Sequence, residues 1–486
     1  MQLSKSQSEI VSEEDLMTPY RAILVKPVSE GDVLNYVPTG LCYLSSYLKK
    51  YFPSGSEAHV LNISLQDVGR IKDACPDLVG FTAYTYNYKQ TIRIAEYVRS
   101  ALPDATIVIG GPHITNAQWS MDEVFDLGVI GEGEETFLRL MQTLAEGGDP
   151  KELHGIQYFE DGQIISNPRT PLIEPLDKIP YPDRDCVEDI ESVITSSHPG
   201  WFFRGKMRSM QITTSRGCPY KCIFCQPSAM WEKLRMHSAE YVADEIAFIR
   251  RKYAINAIFI EDDLFTGSKK RVATLVDLLA KRDLIGKIGY YVGARTAQID
   301  QDWVSLFRDL GVVKVEFGIE SGSDDIASYL KNHKESRAVN ERAISMLNDA
   351  GISVYASFIA GAPPEKMSDL KRTCSMMRWI KRNHLGNSAG INIVTPLPGT
   401  YLWDYAVRNG VIETEGFDWN RLATRTRVPK QADEIVYLNE NIPRRKLIRT
   451  IRRTNLMMRI GTPREFMQAL PRRTKKLISK LGFLKH

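Results

Sequence analysis

The chain has 486 residues, 43% hydrophobic and 25% charged, with 24 Pro and 33 Gly. This excludes collagenous, low-complexity and wholly disordered classes, and it allows about three domains, at ~150 residues each, to bury cores without disulfides. The net charge of +4 makes no general field for nucleic acid, yet residues 443–486 hold fourteen Lys and Arg against one acid, Glu465, leaving −9 on the remainder.

Residues 1–18 are polar and acidic without apolar periodicity, which predicts a disordered arm and neither a signal nor a transit peptide. Residues 19–150 alternate strand and helix patterns. Strands are expected at 22–27, 77–85 and 105–113, and helices at 39–52 and 88–102. A short strand, a Gly-containing turn and a helix follow over 129–144. The rhythm predicts a doubly wound, Rossmann-like parallel sheet. Residues 151–205 form a linker, with a hairpin over 154–167 turning at Asp161-Gly162 and a proline-rich surface stretch behind it. Residues 206–400 give six strand patterns beginning at 211–216, each but the last followed by a helix, which predicts a partial (β/α)6, TIM-like barrel. Residues 401–486 are expected to be a mainly helical cap, with Phe417 and Trp419 against the barrel, and a basic amphipathic tail ending in a helix over 472–484. No apolar run reaches the ~18 residues that would span a membrane.

Seven cysteines stand at Cys42, Cys75, Cys186, Cys218, Cys222, Cys225 and Cys374. Three of them within eight residues is not the pattern of a secreted disulfide scaffold, so a cytoplasmic location is expected. Cys218-Pro-Tyr-Lys-Cys222-Ile-Phe-Cys225 directly follows the first barrel strand, at the mouth where barrel chemistry sits. Three thiolates can bind three irons of a four-iron cluster and leave the fourth iron open for chemistry. A zinc site would need a fourth ligand, and the nearest is His237, twelve residues beyond Cys225. Glu261, Asp262 and Asp263 end the second barrel strand, an arrangement that is costly unless a cation binds there. Arg295 ends the third strand, either as a partner for a bound carboxylate or in a structural ion pair.

The segment TSRGCPYKCIFC resembles the signature of radical S-adenosylmethionine enzymes. The resemblance implies that the open iron chelates S-adenosylmethionine, and that one electron from the cluster cleaves it to a 5′-deoxyadenosyl radical. It also assigns Phe224 to the adenine, Glu320, Ser321 and Gly322 of FGIESG to the ribose and methionine end, and Gly361 of FIAGAPPE to the adenine. Arg295 and Asp262 complete the set expected around that cofactor. The N-terminal segments resemble the cobalamin-binding domain fused to such enzymes. The matching residues are Thr39-Gly40, Gly110-Gly111-Pro112-His113 and Gly131-Glu132-Gly133-Glu134. The Asp-x-His-x-x-Gly motif that supplies an axial histidine is missing, Leu65-Gln66-Asp67-Val68-Gly69 being the nearest segment. Cobalamin is therefore expected with its base displaced and no histidine on cobalt, and His113 not as an axial ligand.

The activity implied is methylation of an unactivated carbon in a small-molecule or lipid substrate, with methylcobalamin as donor. A cyclisation, ring rearrangement or lipid modification without methyl transfer is the alternative, and a non-catalytic iron–sulfur electron carrier is the reading from another class. Cys42 and Cys75 are too few for the extra N-terminal cluster of a methylthiotransferase. A low-potential donor such as flavodoxin or ferredoxin is implied. The basic tail reads as a peripheral membrane contact or as a helix docked on the protein, and its scarcity of aromatics argues against nucleic acid.

Overall fold

The computed structural model describes residues 20–28, 36–52, 57–196, 207–231, 233–383, 386–422 and 435–459. The expected arm and the helix at 472–484 lie outside the described residues.

The first layer runs β1 (Arg21–Pro27), α1 (Thr39–Tyr51), β2 (Glu57–Ile63), α2 (Gly69–Asp73), β3 (Leu78–Thr82), α3 (Tyr88–Ala101), β4 (Thr106–Gly110), α4 (Pro112–Asn116), β5 (Leu127–Val129), α5 (Gly133–Ala145), β6 (Ile156–Glu160) and β7 (Gln163–Ser166). The sheet order is β2-β1-β3-β4-β5-β6-β7, parallel as far as β5 and antiparallel through the last two strands. β1 and β3 are short aliphatic runs buried on both faces, so they take the centre. α1 and α5 cover one face and α3 the other. β2 is missed by sequence because its outward residues, Glu57 and His59, are exposed on an edge. The β6–β7 hairpin turns at Asp161 and Gly162, both left-handed as that dipeptide allows.

α6 (Ile190–Ser196) leads to the second layer: β8 (Ser209–Ile212), β9 (Ser215–Arg216), α7 (Pro227–Met230), β10 (Arg235–Met236), α8 (Ala239–Tyr253), β11 (Ala257–Ile260), α9 (Lys269–Lys281), β12 (Gly289–Ala294), α10 (Gln301–Leu310), β13 (Val312–Glu320), α11 (Asp324–Lys331), α12 (Arg337–Asp349), β14 (Ser353–Ala360), α13 (Met367–Asn383), β15 (Ser388–Ile393), α14 (Tyr401–Arg408) and α15 (Arg444–Arg459). Six parallel strands lie in the order β15-β14-β13-β12-β11-β8, the open six-stranded barrel expected. The first strand covers Ser209–Ile212 and not the expected 211–216. It ends at Ile212, because Asp262 draws the backbone N–H groups of Thr214 and Ser215 out of the ladder at 2.6 and 2.9 Å. Arg216 then pairs with Arg235 in the separate β9–β10 ribbon.

The C-terminal region packs on both layers. Phe417 and Trp419 join one apolar cluster with Phe81, Tyr88 and Ile114 of the first layer and with Val394 and Leu402 at the end of the barrel. Trp419 lies edge-on to His113 at 4.5 Å and stacks on Trp403 at 5.7 Å. α15, the basic segment's first helix, buries Leu447, Ile448 and Ile451 in the barrel's core. Its Asn455 accepts from the Ile391 N–H at 3.0 Å and donates to the Ile391 carbonyl at 2.8 Å, satisfying the edge strand β15.

Candidate active site

The three thiols sit on the loop between β9 and α7, free and half-buried. Gly217, with φ +93°, opens the loop, and a side chain there would collide with the Lys233 carbonyl. Burial raises all three thiols, Cys225 to about 12. Among the described residues no three His, Cys, Asp or Glu groups converge as a single metal ion would require. Three thiols on one loop are the donor set of a four-iron cluster with one iron left open. His237 is not a fourth ligand. It is buried with Nδ1 2.9 Å from Asp177, it stacks on Tyr241 at 3.9 Å, and burial lowers it to about 4.

Three barrel strand ends converge on this loop. Cys222 feels the charges of Arg295, Lys331 and Glu320, and Cys218 those of Asp263 and Arg295. Glu320 is buried in a left-handed conformation, φ +67°. Burial pushes its carboxyl up to about 7, against the pull of Lys331 and Arg295. A strained, buried carboxylate beside the thiols suits the ammonium group of S-adenosylmethionine.

Several other predicted residues have protein partners in place of an open face. Asp262 is fully buried and accepts four bonds from Thr214 and Ser215, at 2.5–2.9 Å, so it braces the cluster loop. Arg295 donates to Glu335 at 2.7 Å and stacks over Tyr220 at 3.8 Å, with Cys222 Sγ 3.8 Å from Nη1. Ser321 bonds Thr373 Oγ1 at 3.1 Å, and Gly322 packs against the α13 backbone. Gly361 faces Leu447 of α15 and Val394. Phe224 lies in an apolar group with Ile326, Leu330 and Ala362.

In the first layer, Thr39 and Gly40 open α1, Gly111 and Pro112 open α4, and Gly131 and Glu132 lead into α5. These turns follow β1, β4 and β5, at the carboxyl edge where doubly wound sheets bind ligands. A side chain at Gly40 would meet no atom within 4 Å, whereas Gly133 closes on Leu44 of α1 at 3.1 Å. His113 has no nitrogen to offer cobalt. It is fully buried, with Nδ1 3.2 Å from Thr85 Oγ1 and Nε2 3.1 Å from Ser120 Oγ. His113 is therefore held by the protein itself and is no ligand for cobalt. Glu132 and Glu134 turn away from it to Arg216 and Arg235, at 2.6–2.9 Å. Sequence reasoning missed both arginines, because their partners lie about a hundred residues away.

The sequence profile of the radical SAM superfamily matches residues 212–377, and that of the B12 binding domain matches residues 33–141. An uncharacterised methyltransferase of Pyrococcus horikoshii is 29% identical over 420 residues, covering 84% of this chain and 87% of that protein. The anaerobic magnesium-protoporphyrin IX monomethyl ester cyclase of Rubrivivax gelatinosus is 29% identical over 369 residues, covering 71% of this chain and 62% of that protein. The cobalamin-dependent S-adenosylmethionine radical enzyme OxsB shares the fold, with TM-score 0.68 at 19% identity, over 96% of this chain and 71% of that one. With both domains matched in order and the three-thiol loop at the barrel mouth, the chain belongs to the radical S-adenosylmethionine enzymes that carry a B12-binding domain.

Proposed function

We propose that the protein is a cobalamin-dependent radical S-adenosylmethionine methyltransferase that methylates an unactivated carbon of a small molecule. One observation carries the reading: Arg216, two residues before the first thiol, is bonded directly to the turn after β5, so a cluster loop and a B12-type crevice are joined. When bound, the cluster and S-adenosylmethionine supply the 5′-deoxyadenosyl radical, and cobalamin carries the methyl group. Cys218, Cys222 and Cys225 hold three irons and leave one open. Glu320 takes the ammonium end of S-adenosylmethionine, and Asp262 keeps the loop in place. Thr39, Gly40, Gly110, Gly111 and Gly131 form the wall against cobalamin.

The similarity to an ester cyclase favours a second reading, ring formation without methyl transfer. Electrons come from a low-potential flavodoxin or ferredoxin, and the basic residues that follow α15 make a peripheral membrane contact. Among the described residues no helix is long and apolar enough to cross a membrane.

Anaerobic reconstitution with iron, sulfide and hydroxocobalamin tests the proposal. The expected result is four irons, bound cobalamin, and release of both 5′-deoxyadenosine and S-adenosylhomocysteine on reduction with S-adenosylmethionine present. Deoxyadenosine without cobalamin uptake would overturn it. Cobalamin uptake without S-adenosylhomocysteine would move the assignment to the cyclase reading.

A further inference from the structure

We infer that Glu132 and Glu134 of the first layer, with Arg216 and Arg235 of the β9–β10 ribbon, form a buried clamp that positions the cluster loop relative to the cobalamin crevice. Its purpose depends on both cofactors acting together as proposed above.

Arg216 and Arg235 are cross-strand partners in a ribbon only two residues long on each side. Like charges directly opposite destabilise such a pair, and so short a ribbon has little stability of its own. Their side chains are 11% and 4% exposed, so water screens them little. The first layer supplies the compensation. Glu132 Oε1 accepts from Arg216 Nη1 at 2.8 Å and from Arg235 Nη2 at 2.6 Å. Glu132 Oε2 accepts from Arg235 Nη1 at 2.9 Å and from the Ile173 N–H at 3.1 Å. Glu134 Oε1 takes the second arm of Arg216 at 2.6 Å. Tyr43 of α1 lies under the same guanidinium at 5.1 Å. Two positive and two negative charges are thus buried together. Burial alone would raise the Glu132 carboxyl, but its bonds to Arg235 and Arg216 outweigh that and hold it below the ordinary range.

The connections on either side of the clamp are short. Glu132 follows Gly131 and immediately precedes α5, so it moves with the turn after β5. Arg216 is followed by Gly217 and then Cys218. Because a planar guanidinium split between two carboxylates is fixed in orientation as well as place, a shift of the turn reaches the first thiol within two residues. Both glutamates are spent on this contact, and they are positioning residues.

The test uses the full chain, loaded with iron, sulfide and hydroxocobalamin. Wild type is compared with Glu132→Gln/Glu134→Gln, which keeps shape and removes both charges, and with Glu134→Gln, which weakens one bond. Iron content and deoxyadenosine release report the cluster. S-adenosylhomocysteine reports transfer between the two sites. Enhancement of cob(II)alamin electron-spin relaxation by the reduced cluster reports their separation without turnover. The double variant is expected to keep iron and deoxyadenosine within about twofold of wild type, while S-adenosylhomocysteine falls about tenfold or more and the relaxation enhancement weakens. If the double variant fails to hold iron, Glu134→Gln decides, with a fall of about threefold in S-adenosylhomocysteine alone expected. Unchanged relaxation, or both products falling in parallel, would overturn the inference. Wild type that releases deoxyadenosine but takes up no cobalamin would instead overturn the methyltransferase reading, and the clamp's purpose with it.

Discussion

His113 shows how a single residue can look functional and be structural. Its segment resembles a cofactor loop, but both ring nitrogens are spent on Thr85 and Ser120, and Tyr88 and Trp419 enclose the ring. Burial lowers it to about 3. Between the ordinary histidine value and that one, the unfolded chain holds a proton that the folded ring does not. Stability therefore falls as pH drops from ~6.5 toward ~3, by about 1.4 kcal/mol at pH ~5.5 for this one ring. His113→Gln should lose packing at neutral pH but show a smaller drop in Tm between pH ~7.5 and ~5.5 than wild type, by thermal melts of the apo protein. An unchanged drop would remove His113 from the acid response. Asp262 makes the same point with opposite chemistry: its fourfold bonding is visible only once the chain has turned back on Thr214 and Ser215.

Among elements, β13 and its following turn carry the most constraint. The strand ends in left-handed Glu320, and the chain then passes so close to α13 that a side chain at Gly322 would lie 2.6 Å from the Arg372 carbonyl and 2.7 Å from Thr373 Cα. Backbone cannot yield as a flexible side chain can. Gly322→Ala should therefore cost about 2–3 kcal/mol and reduce S-adenosylmethionine-dependent deoxyadenosine release, read by urea titration and product analysis. A wild-type midpoint would show that α13 can move aside. The sequence reading took this glycine as ligand-facing because its motif matched. α11 was also hidden from the sequence, lying as one short helix directly ahead of α12.

At the scale of the whole molecule, the two layers share an interior. One apolar cluster joins Phe81, Ile109 and Ile114 of the first layer to Val394, Leu402, Phe417 and Trp419. The buried Arg184–Glu245 pair, 2.6 Å apart, ties the linker to α8. Such a seam makes the layers unfold together. Trp419→Ala should cost about 3–5 kcal/mol and, by calorimetry, split a single transition into two. A single transition in the variant would show that the polar contacts alone couple the layers.

The sequence by itself determined the strand-and-helix rhythm, the six-stranded barrel and the three-thiol loop. These rest on local pattern: apolar period, turn residues, and cysteine spacing within one loop. It also placed the glycine-rich turns at the strand ends, because such turns are local too. Only the tertiary structure decided which polar residues remain available to a ligand. Glu132, Glu134, Asp262 and Ser321 have cofactor-like positions in the chain, yet their partners, Arg216, Arg235, Thr214, Ser215 and Thr373, come from elements 47 to 103 residues away. A buried charge takes whatever counter-charge the fold brings to it, and that juxtaposition is written in no single stretch of sequence.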